Sequence, residues 1–382
     1  MKVIAVNAGS SSLKFQLLTM PEEKVLVSGV VERIGIENSV IKIKLNGEKL
    51  EELIDVPNHS VAVELLLKKL VDLSVVKSIE EIDGVGHRVV HGGEKFSDSV
   101  VITDEVIKAI EDVSDLAPLH NPANLTGIKA FQTALPSVKA VAVFDTAFHQ
   151  TMPEESYLYG VPYEWYKKYG VRKYGFHGTS HKFVSQEVAK IMKKDVKDLK
   201  TIVLHIGNGA SICAVDGGKS VDTSMGFTPL AGILMGTRSG DIDPAIVEYI
   251  CEKENKSVNE VITDLNKKSG YLGLSEISSD SRDIWTACHS GNKQAWATVK
   301  KHVKMICDYV ASYYVTMGGC DAICFTAGVG ENAIFTRQLV IKRLAALGVK
   351  IDEERNFVRG EERLISTDDS SIKVFLLPTN EE

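Results

Sequence analysis

An apolar strand, a tight turn of small polar residues and a second strand occur together at VIAVNAGSSSLKFQLL (3–18) and again at TIVLHIGNGASICAV (201–215). Where side chains are small, main-chain N–H groups can approach an anion closely, so each turn reads as a phosphate cradle. Ser10, Ser11, Ser12 and Asn208 add side-chain donors, and the first copy carries Lys14, a point charge suited to phosphate. The first copy does not fit GxxxxGK[ST], and LKFQLL alternates like a strand instead of opening a helix. The turn of a β-hairpin must therefore do the work. Two copies of it predict two domains.

The chain has 382 residues, more than one ordinary core accommodates. Its 44% hydrophobic and 25% charged residues are those of a globular protein. A net charge of −7 argues against nucleic acid or anionic lipid held by the overall field. No apolar run is long enough to span a bilayer, and Met1 leads straight into strand residues Val3 to Val6 with no room for a secretory signal. No membrane and a cytoplasmic location are expected. Cys213, Cys251, Cys288, Cys307, Cys320 and Cys324 all lie in the C-terminal part, inside predicted strands and helices, and form no CxxC. They read as reduced thiols rather than a metal or disulfide set.

The first part begins with strands and a hairpin turn at Asn46-Gly47. A helix over 60–73, a strand over 82–90 and a helix capped by Thr103 follow. Asn121 reads as a cap with Pro122 at the first helical position, opening a helix that runs to residue 135, before a strand over 138–144 that ends in Asp145. The second part repeats this plan. Its expected elements are a helix over 180–193, the second hairpin, an Asp216-Gly217 turn, a helix opened by Asp243-Pro244 and a capping box at Ser257 and Glu260. A long helix over 293–317 stops at Gly318-Gly319. The stretch 321–332 reads as a strand ending in a glycine loop, followed by a helix to residue 347 and a strand over 371–377. No low-complexity linker separates the halves, so they are expected to pack closely around a cleft.

Arg and His recur in glycine-flexed loops at the ends of apolar strands, where open α/β sheets bind ligands. Arg88 and His91 lie in GHRVVHGGE, His120 in LHNPAN, Asp145 in FDTAFH, His177 and His181 in YGFHGTSH, and Arg238 in MGTRSGDIDP. Together with NAGSSSLK, HIGNGAS, DTSMGFTPLAG, GVGEN and PTNEE, these strings resemble the successive motifs of the acetate kinase family from Met1 to Glu382. The resemblance implies an α/β fold of two ribonuclease H-like domains, a duplicated fold with an interdomain cleft. The domains are 1–148 and 149–382, the second with the nucleotide-binding loops. It implies reversible transfer of the ATP γ-phosphoryl group to acetate by direct in-line attack, with Mg²⁺, or alternatively Mn²⁺, as cofactor. It also implies a homodimer joined through the second domain, with 309–317 as interface or core. Members of the family usually continue past PTNEE into a C-terminal helix that returns to the first domain.

By the same resemblance Arg88 holds the carboxylate while Arg238 and His177, with His120 beside them, stabilise the transferring phosphoryl group. Asp145 matches the residue that the family treats as acid/base. A carboxylic acid with a pKa of roughly 4–5 is already ionised at neutral pH, so Asp145 is expected to orient Arg238 or a metal-bound water instead. Asn7 and Glu381 match the Mg²⁺ positions, though a solvated tail is the plain reading of Glu381. Nucleotide contacts are expected from Ser10, Ser12 and Lys14, from His205, Ile206, Gly207, Asn208 and Gly209, from Asp280, Ser281 and Arg282, and from Gly328, Val329, Gly330, Glu331 and Asn332. Taken alone, AGVGEN is a glycine turn and SSDSRD a helix-capping loop. Val90, Leu119, Phe176 and Pro229 match the methyl pocket. One methylene changes binding by only ~1–3 kcal/mol, so a propionate kinase is the near alternative. A non-catalytic ATP-dependent clamp of the actin or chaperone type is the distant one.

Overall fold

Alternation builds the first hairpin in the computed structural model, which describes residues 1–118 and 120–379. Strands β1 (Lys2–Ala8) and β2 (Ser12–Thr19) pair antiparallel, setting Ile4 opposite Leu17, Val6 opposite Phe15 and Ala8 opposite Leu13, all buried. A period of two then puts Asn7 and Lys14, also directly opposite each other, on the other face of the hairpin. Two compact units result, the first Met1–Ala147 and the second beginning at Phe148.

In the first unit β3 (Lys24–Glu32), β4 (Val40–Leu45) and β5 (Glu48–Leu53) extend the sheet antiparallel. The β4–β5 turn has Asn46 at φ 51° and Gly47 at φ 88°, the two left-handed residues of a type I′ turn. On the other side of β1, β6 (Gly84–Val89) and β8 (Lys139–Phe144) run parallel to it, and the two-residue β7 (Val100–Val101) closes the edge. Helices α1 (His59–Asp72), α2 (Asp104–Asp112) and α3 (Asn121–Ala134) complete the unit. Leu66, Leu67 and Leu70 of α1 and Phe131 of α3 share one core with the hairpin. Thr103 caps α2 as expected.

The second unit enters through α4 (Glu154–Tyr157), α5 (Tyr163–Tyr169) and α6 (Gly178–Met192). Its sheet begins with β9 (Lys200–Ile206), β10 (Ala210–Asp216) and β11 (Lys219–Thr223). Helices α7 (Ala245–Glu254), α8 (Val258–Lys267), α9 (Gly270–Ser275), α10 (Ser281–His289) and α11 (Lys293–Thr316) come next. After them come β12 (Ala322–Thr326), α12 (Ala327–Asn332), α13 (Ile334–Arg343), α14 (Glu353–Asn356), β13 (Arg363–Leu364) and β14 (Lys373–Leu376). The order β3-β2-β1-β6-β8 of the first sheet recurs here as β11-β10-β9-β12-β14, with β9, β12 and β14 parallel. Each hairpin turn thus lies at the carboxyl end of its parallel strands, where loops gather. Residues Thr201 to Ile206 are all buried, as a strand covered on both faces requires.

Three elements differ from expectation. Asn121 does not cap α3: His120 occupies the N-cap position without a side-chain cap bond, and the Asn121 side chain turns inward to bond His91. AGVGEN is a short helix instead of a glycine loop, because its carbonyls find donors in Asn332 Nδ2 and the Arg337 guanidinium. Cys320 lies between α11 and β12, outside both. Among the described residues, all six cysteines are free thiols and no helix is long and apolar enough to cross a membrane.

Burial pushes the imidazoles of His87, set edge-on against Phe131, and of His302 down to about 4. Unfolded, each binds its proton near 6.5, so between those values the unfolded chain holds more protons. This stability is therefore present above the unfolded value and lost as pH falls through the window. Each histidine should cost about 2 kcal/mol on going from pH 7 to pH 5. Urea unfolding at the two pH values should show that loss, and His87→Leu should shrink the difference by about 2 kcal/mol. An unchanged difference would contradict the burial argument.

Candidate active site

The first hairpin turn is tied from behind. Gly9 N donates to Ser12 O at 2.8 Å, Ile34 N to Ser11 O at 3.0 Å, and Nε2 of His59, the first residue of α1, lies 2.8 Å from Gly9 O. With these carbonyls occupied, the turn's amides and the Ser10, Ser11 and Ser12 hydroxyls are the groups to meet an anion. Lys14 and Asn7 stand opposite each other in the ladder leading to it.

Neighbouring parallel strands bring Arg88 and Asp145 together: Arg88 pairs with Val143 in the register, and Asp145 follows the next pair, Val89 and Phe144. Arg88 Nε donates to Asp145 Oδ1 at 2.9 Å and Nη2 to Oδ2 at 2.6 Å, a two-pronged ion pair. Asp145 is 2% exposed, and its amide donates to Val89 O at 3.0 Å. The Asp145 carboxylate thus holds Arg88, a partner that the sequence reading did not name. His120, at the head of α3, is half-buried, and its carbonyl accepts from Asn124 N.

Two residues that sequence reasoning missed fix the loop after Arg88. Asn124 Oδ1 accepts from Val90 N at 3.0 Å while its Nδ2 donates to Ala8 O at 2.8 Å. Asn121 Oδ1 accepts from His91 N at 3.1 Å, and its Nδ2 donates to His91 O at 2.9 Å. Spacing of three residues on one helix face, both asparagines buried, was the available signal. His91 is fully buried by this, which pushes its imidazole down to about 4.

In the second unit three segments converge on Gly209. A Cβ at that glycine would stand 3.4 Å from Arg238 Nη1 and 3.8 Å from both Nε2 and Cε1 of His177. His177 enters α6 at φ 57°, ψ 23°, its Nδ1 lies 2.8 Å from Ser211 Oγ, and its ring stacks on His205 at 4.1 Å. Ser180 Oγ lies 2.8 Å from His205 Nδ1. Arg238 Nη1 donates to Pro229 O at 3.3 Å and lies 3.7 Å from Met235 Sδ. Among the described residues no carboxylate pairs with Arg238, and burial lowers its pKa below the ordinary guanidinium value.

The turn carrying Arg238 is clamped by α9. Carbonyls of Met235, Gly236 and Thr237 accept from Tyr271 N at 2.7 Å, Leu272 N at 3.0 Å and Ser269 N at 2.9 Å. Gly236 N donates to Asn208 O at 3.0 Å, which joins this turn to the second hairpin.

Asp280 caps α10, and its carboxylate accepts from Arg282 N at 2.8 Å and Arg282 Nε at 3.0 Å, while Ser281 is buried beneath them. Glu331 Oε1 accepts from Thr379 N at 3.0 Å, and Gly328 is open, with nothing within 4 Å of a Cβ there. Arg337, also missed from sequence, is fully buried and donates to the carbonyls of Gly330, Glu331, Asn356 and Val358. It fixes the far end of α12. Of the methyl-pocket candidates, Val90 is buried in the first unit, and Phe176 and the half-buried Pro229 belong to the second. Leu119 and Glu381 lie outside the described residues. Among those described, no three or more of His, Cys, Asp and Glu gather as a metal site. Asn7 offers one amide oxygen, a donor set that fits an ion held mainly by phosphates and water.

The Acetokinase family profile matches residues 2–382. An acetate kinase of Bacillus velezensis is 60% identical over 381 residues, covering 100% of this chain and 96% of its own. The crystal structure of Porphyromonas gingivalis acetate kinase matches with a TM-score of 0.96 at 47% identity, covering 100% of this chain and 96% of that one. A propionate kinase from Francisella tularensis matches with a TM-score of 0.94 at 42% identity, covering 100% and 97%.

Gly270 sits at φ +61°, and a Cβ there would lie 2.1 Å from Met235 O and 2.7 Å from Arg238 O. Gly270→Ala should therefore destabilise the protein by about 2 kcal/mol or more and lower turnover by displacing the Arg238 turn. Urea unfolding together with kcat checks both effects, and a variant of native stability would contradict the clamp.

Proposed function

The chain belongs to the acetokinase family, and from that premise we propose that it transfers the γ-phosphoryl group of ATP to acetate, reversibly giving acetyl phosphate and ADP. The observation that carries the reading is the half-buried Arg238 guanidinium beside His177 and the second hairpin turn, with no carboxylate paired to it among the described residues. A carboxylate oxygen attacks the γ-phosphorus while the bond to the β–γ bridging oxygen breaks and its electron pair leaves with ADP. The nucleophile is already an anion, so no proton is moved. The difficulty is repulsion between two anions, and electrostatic stabilisation of a loose transition state is the main lever.

In this reading Arg88, aimed by Asp145, holds the acid's carboxylate. Arg238 and His177, with His120 assisting, meet the equatorial oxygens of the transferring group. Ser10, Ser12 and Lys14, the turn 205–209, Asp280 to Arg282 and Gly328 to Asn332 are proposed to hold the nucleotide within ribonuclease H-like domains at 1–148 and 149–382. Asn7 and Glu381 are the proposed positions for Mg²⁺, with Mn²⁺ as substitute; bound with the nucleotide, the ion supplies further neutralisation of phosphate charge. On the same reading the protein works in the cytoplasm, where ATP is available. It does so as a homodimer joined through the second unit, whose helices α7 and α8 expose Ile246, Tyr249 and Val258. Light scattering showing a monomer at micromolar concentration would remove that last part.

Propionate is the second reading, supported by the likeness to the Francisella enzyme. Acetate is preferred because relatives 60% identical along the whole chain are acetate kinases. ATP consumption that depends on added acid, with the acyl phosphate trapped by hydroxylamine, tests the reaction. A tenfold preference for propionate, or roughly more, would overturn the choice of acid. Arg88→Ala should chiefly raise KM for acetate and Arg238→Ala chiefly lower kcat, because the first meets the ground state and the second the developing charge. Equal effects on both parameters in both variants would contradict that division.

A further inference from the structure

Ser211 joins two histidines. Its Oγ lies 2.8 Å from His177 Nδ1 and 2.7 Å from His181 Nε2, and both Ser211 and His181 are fully buried. In the sheet Ser211 stands opposite His205, whose ring stacks on His177, so one compact group fixes the position of the His177 imidazole.

The proton positions follow from counting donors. A serine hydroxyl has one hydrogen, so it can donate to only one of the two rings, and the other must donate to it. His181 Nδ1 is buried and has no hydrogen-bond partner among the described residues. Burial, with His149 and His205 nearby, keeps the His181 imidazole neutral, its pKa well below the ordinary value. A proton on Nδ1 would be an orphaned buried donor, which folded proteins rarely tolerate, so the His181 proton belongs on Nε2. It is then donated to Ser211 Oγ. Among the described residues Ser211 Oγ has no hydrogen-bond partner besides these two rings, so its hydroxyl is left to donate to His177 Nδ1, which must be bare. For a neutral ring, the remaining proton of His177 is on Nε2.

We propose that Ser211 is a positioning residue which, backed by His181, fixes His177 as the neutral tautomer carrying its proton on Nε2. That nitrogen lies 3.8 Å from the point above Gly209 where a Cβ would stand, beside Arg238 Nη1 at 3.4 Å. The relay therefore presents a hydrogen-bond donor, and not a lone pair, alongside the guanidinium. Two donors at one place suit an acceptor-only ligand such as a phosphoryl group. The catalytic part of this inference rests on the acyl-phosphate-forming reading above, whereas the proton assignment does not.

Long-range ¹⁵N–¹H correlation spectra of the intact, histidine-labelled protein near pH 7.5 test it, with His177 signals identified by their loss in His177→Asn. The expected result is a protonated Nε2 and a bare, hydrogen-bonded Nδ1 for His177 in the absence of substrate. A proton on Nδ1 with a bare Nε2 would overturn the proposal whether or not acetate is phosphorylated. Ser211→Ala should give His177 a mixed tautomer signature and lower kcat roughly tenfold to a hundredfold, with KM for acetate and ATP within about twofold. Unchanged tautomer and unchanged kcat would also overturn it. Should that variant fail to fold, the spectrum of the unsubstituted chain still decides.

Discussion

A guanidinium drawn partly out of water without a carboxylate beside it costs the fold several kcal/mol unless something else holds it. Arg238 is in that position: its Nη1 meets a neutral carbonyl and a thioether sulfur, and burial lowers its pKa with no paired carboxylate among the described residues to restore it. What offsets the cost is backbone. Three successive carbonyls of its turn are tied to the start of α9, and Gly236 N is tied to Asn208 O. Glycines at 236 and 270 let the turn approach the hairpin and the helix closely: a Cβ at Gly236 would lie 1.8 Å from Asn208 Oδ1, and one at Gly270 2.1 Å from Met235 O. An anion arriving above Gly209 would find the charge already in place and already desolvated, which is what makes a preorganised site worth more than the same charges in water.

Arg88 is handled in the opposite way. Its charge is matched by a buried Asp145 through two hydrogen bonds, and the loop beyond it is fixed by two asparagines from one helix turn. Such an arginine keeps its plane and direction while part of its charge is already answered. It is suited to aligning a planar carboxylate and less suited to stabilising charge that develops later. Two arginines that look equivalent as letters are therefore held differently: one has a carboxylate neighbour and, among the described residues, the other has none.

Much of this was legible in the chain. The strand–turn–strand pattern at 3–18 and 201–215 is a local signal, and both hairpins form where it places them, each in a sheet that continues in the same strand order through its parallel strands. The capping box at Ser257 and Glu260 and the stop after the long helix at Gly318 are equally local. Harder to read were contacts set by partners far along the chain. That Asp145 serves Arg88 depends on the register of two parallel strands, and that Asn121 points inward depends on where α3 lands against them. Arg337 reads as an ordinary helix residue, and only tertiary structure brings four carbonyls to it. The resemblance to the acetate kinase family gave residue roles that spacing alone could not, since it names which loops act but not which side chains support them.

The central claim is that the fold holds Arg238, with the His177 imidazole beside it, ready for a phosphoryl group in transfer. A crystal structure with ADP, aluminium fluoride and acetate bound tests this most directly. The account predicts Arg238 nitrogens and His177 Nε2 at roughly 2.7–3.2 Å from equatorial fluorides of a planar aluminium species. Fluorides held by the hairpin amides alone, with Arg238 still on the Pro229 carbonyl, would contradict it.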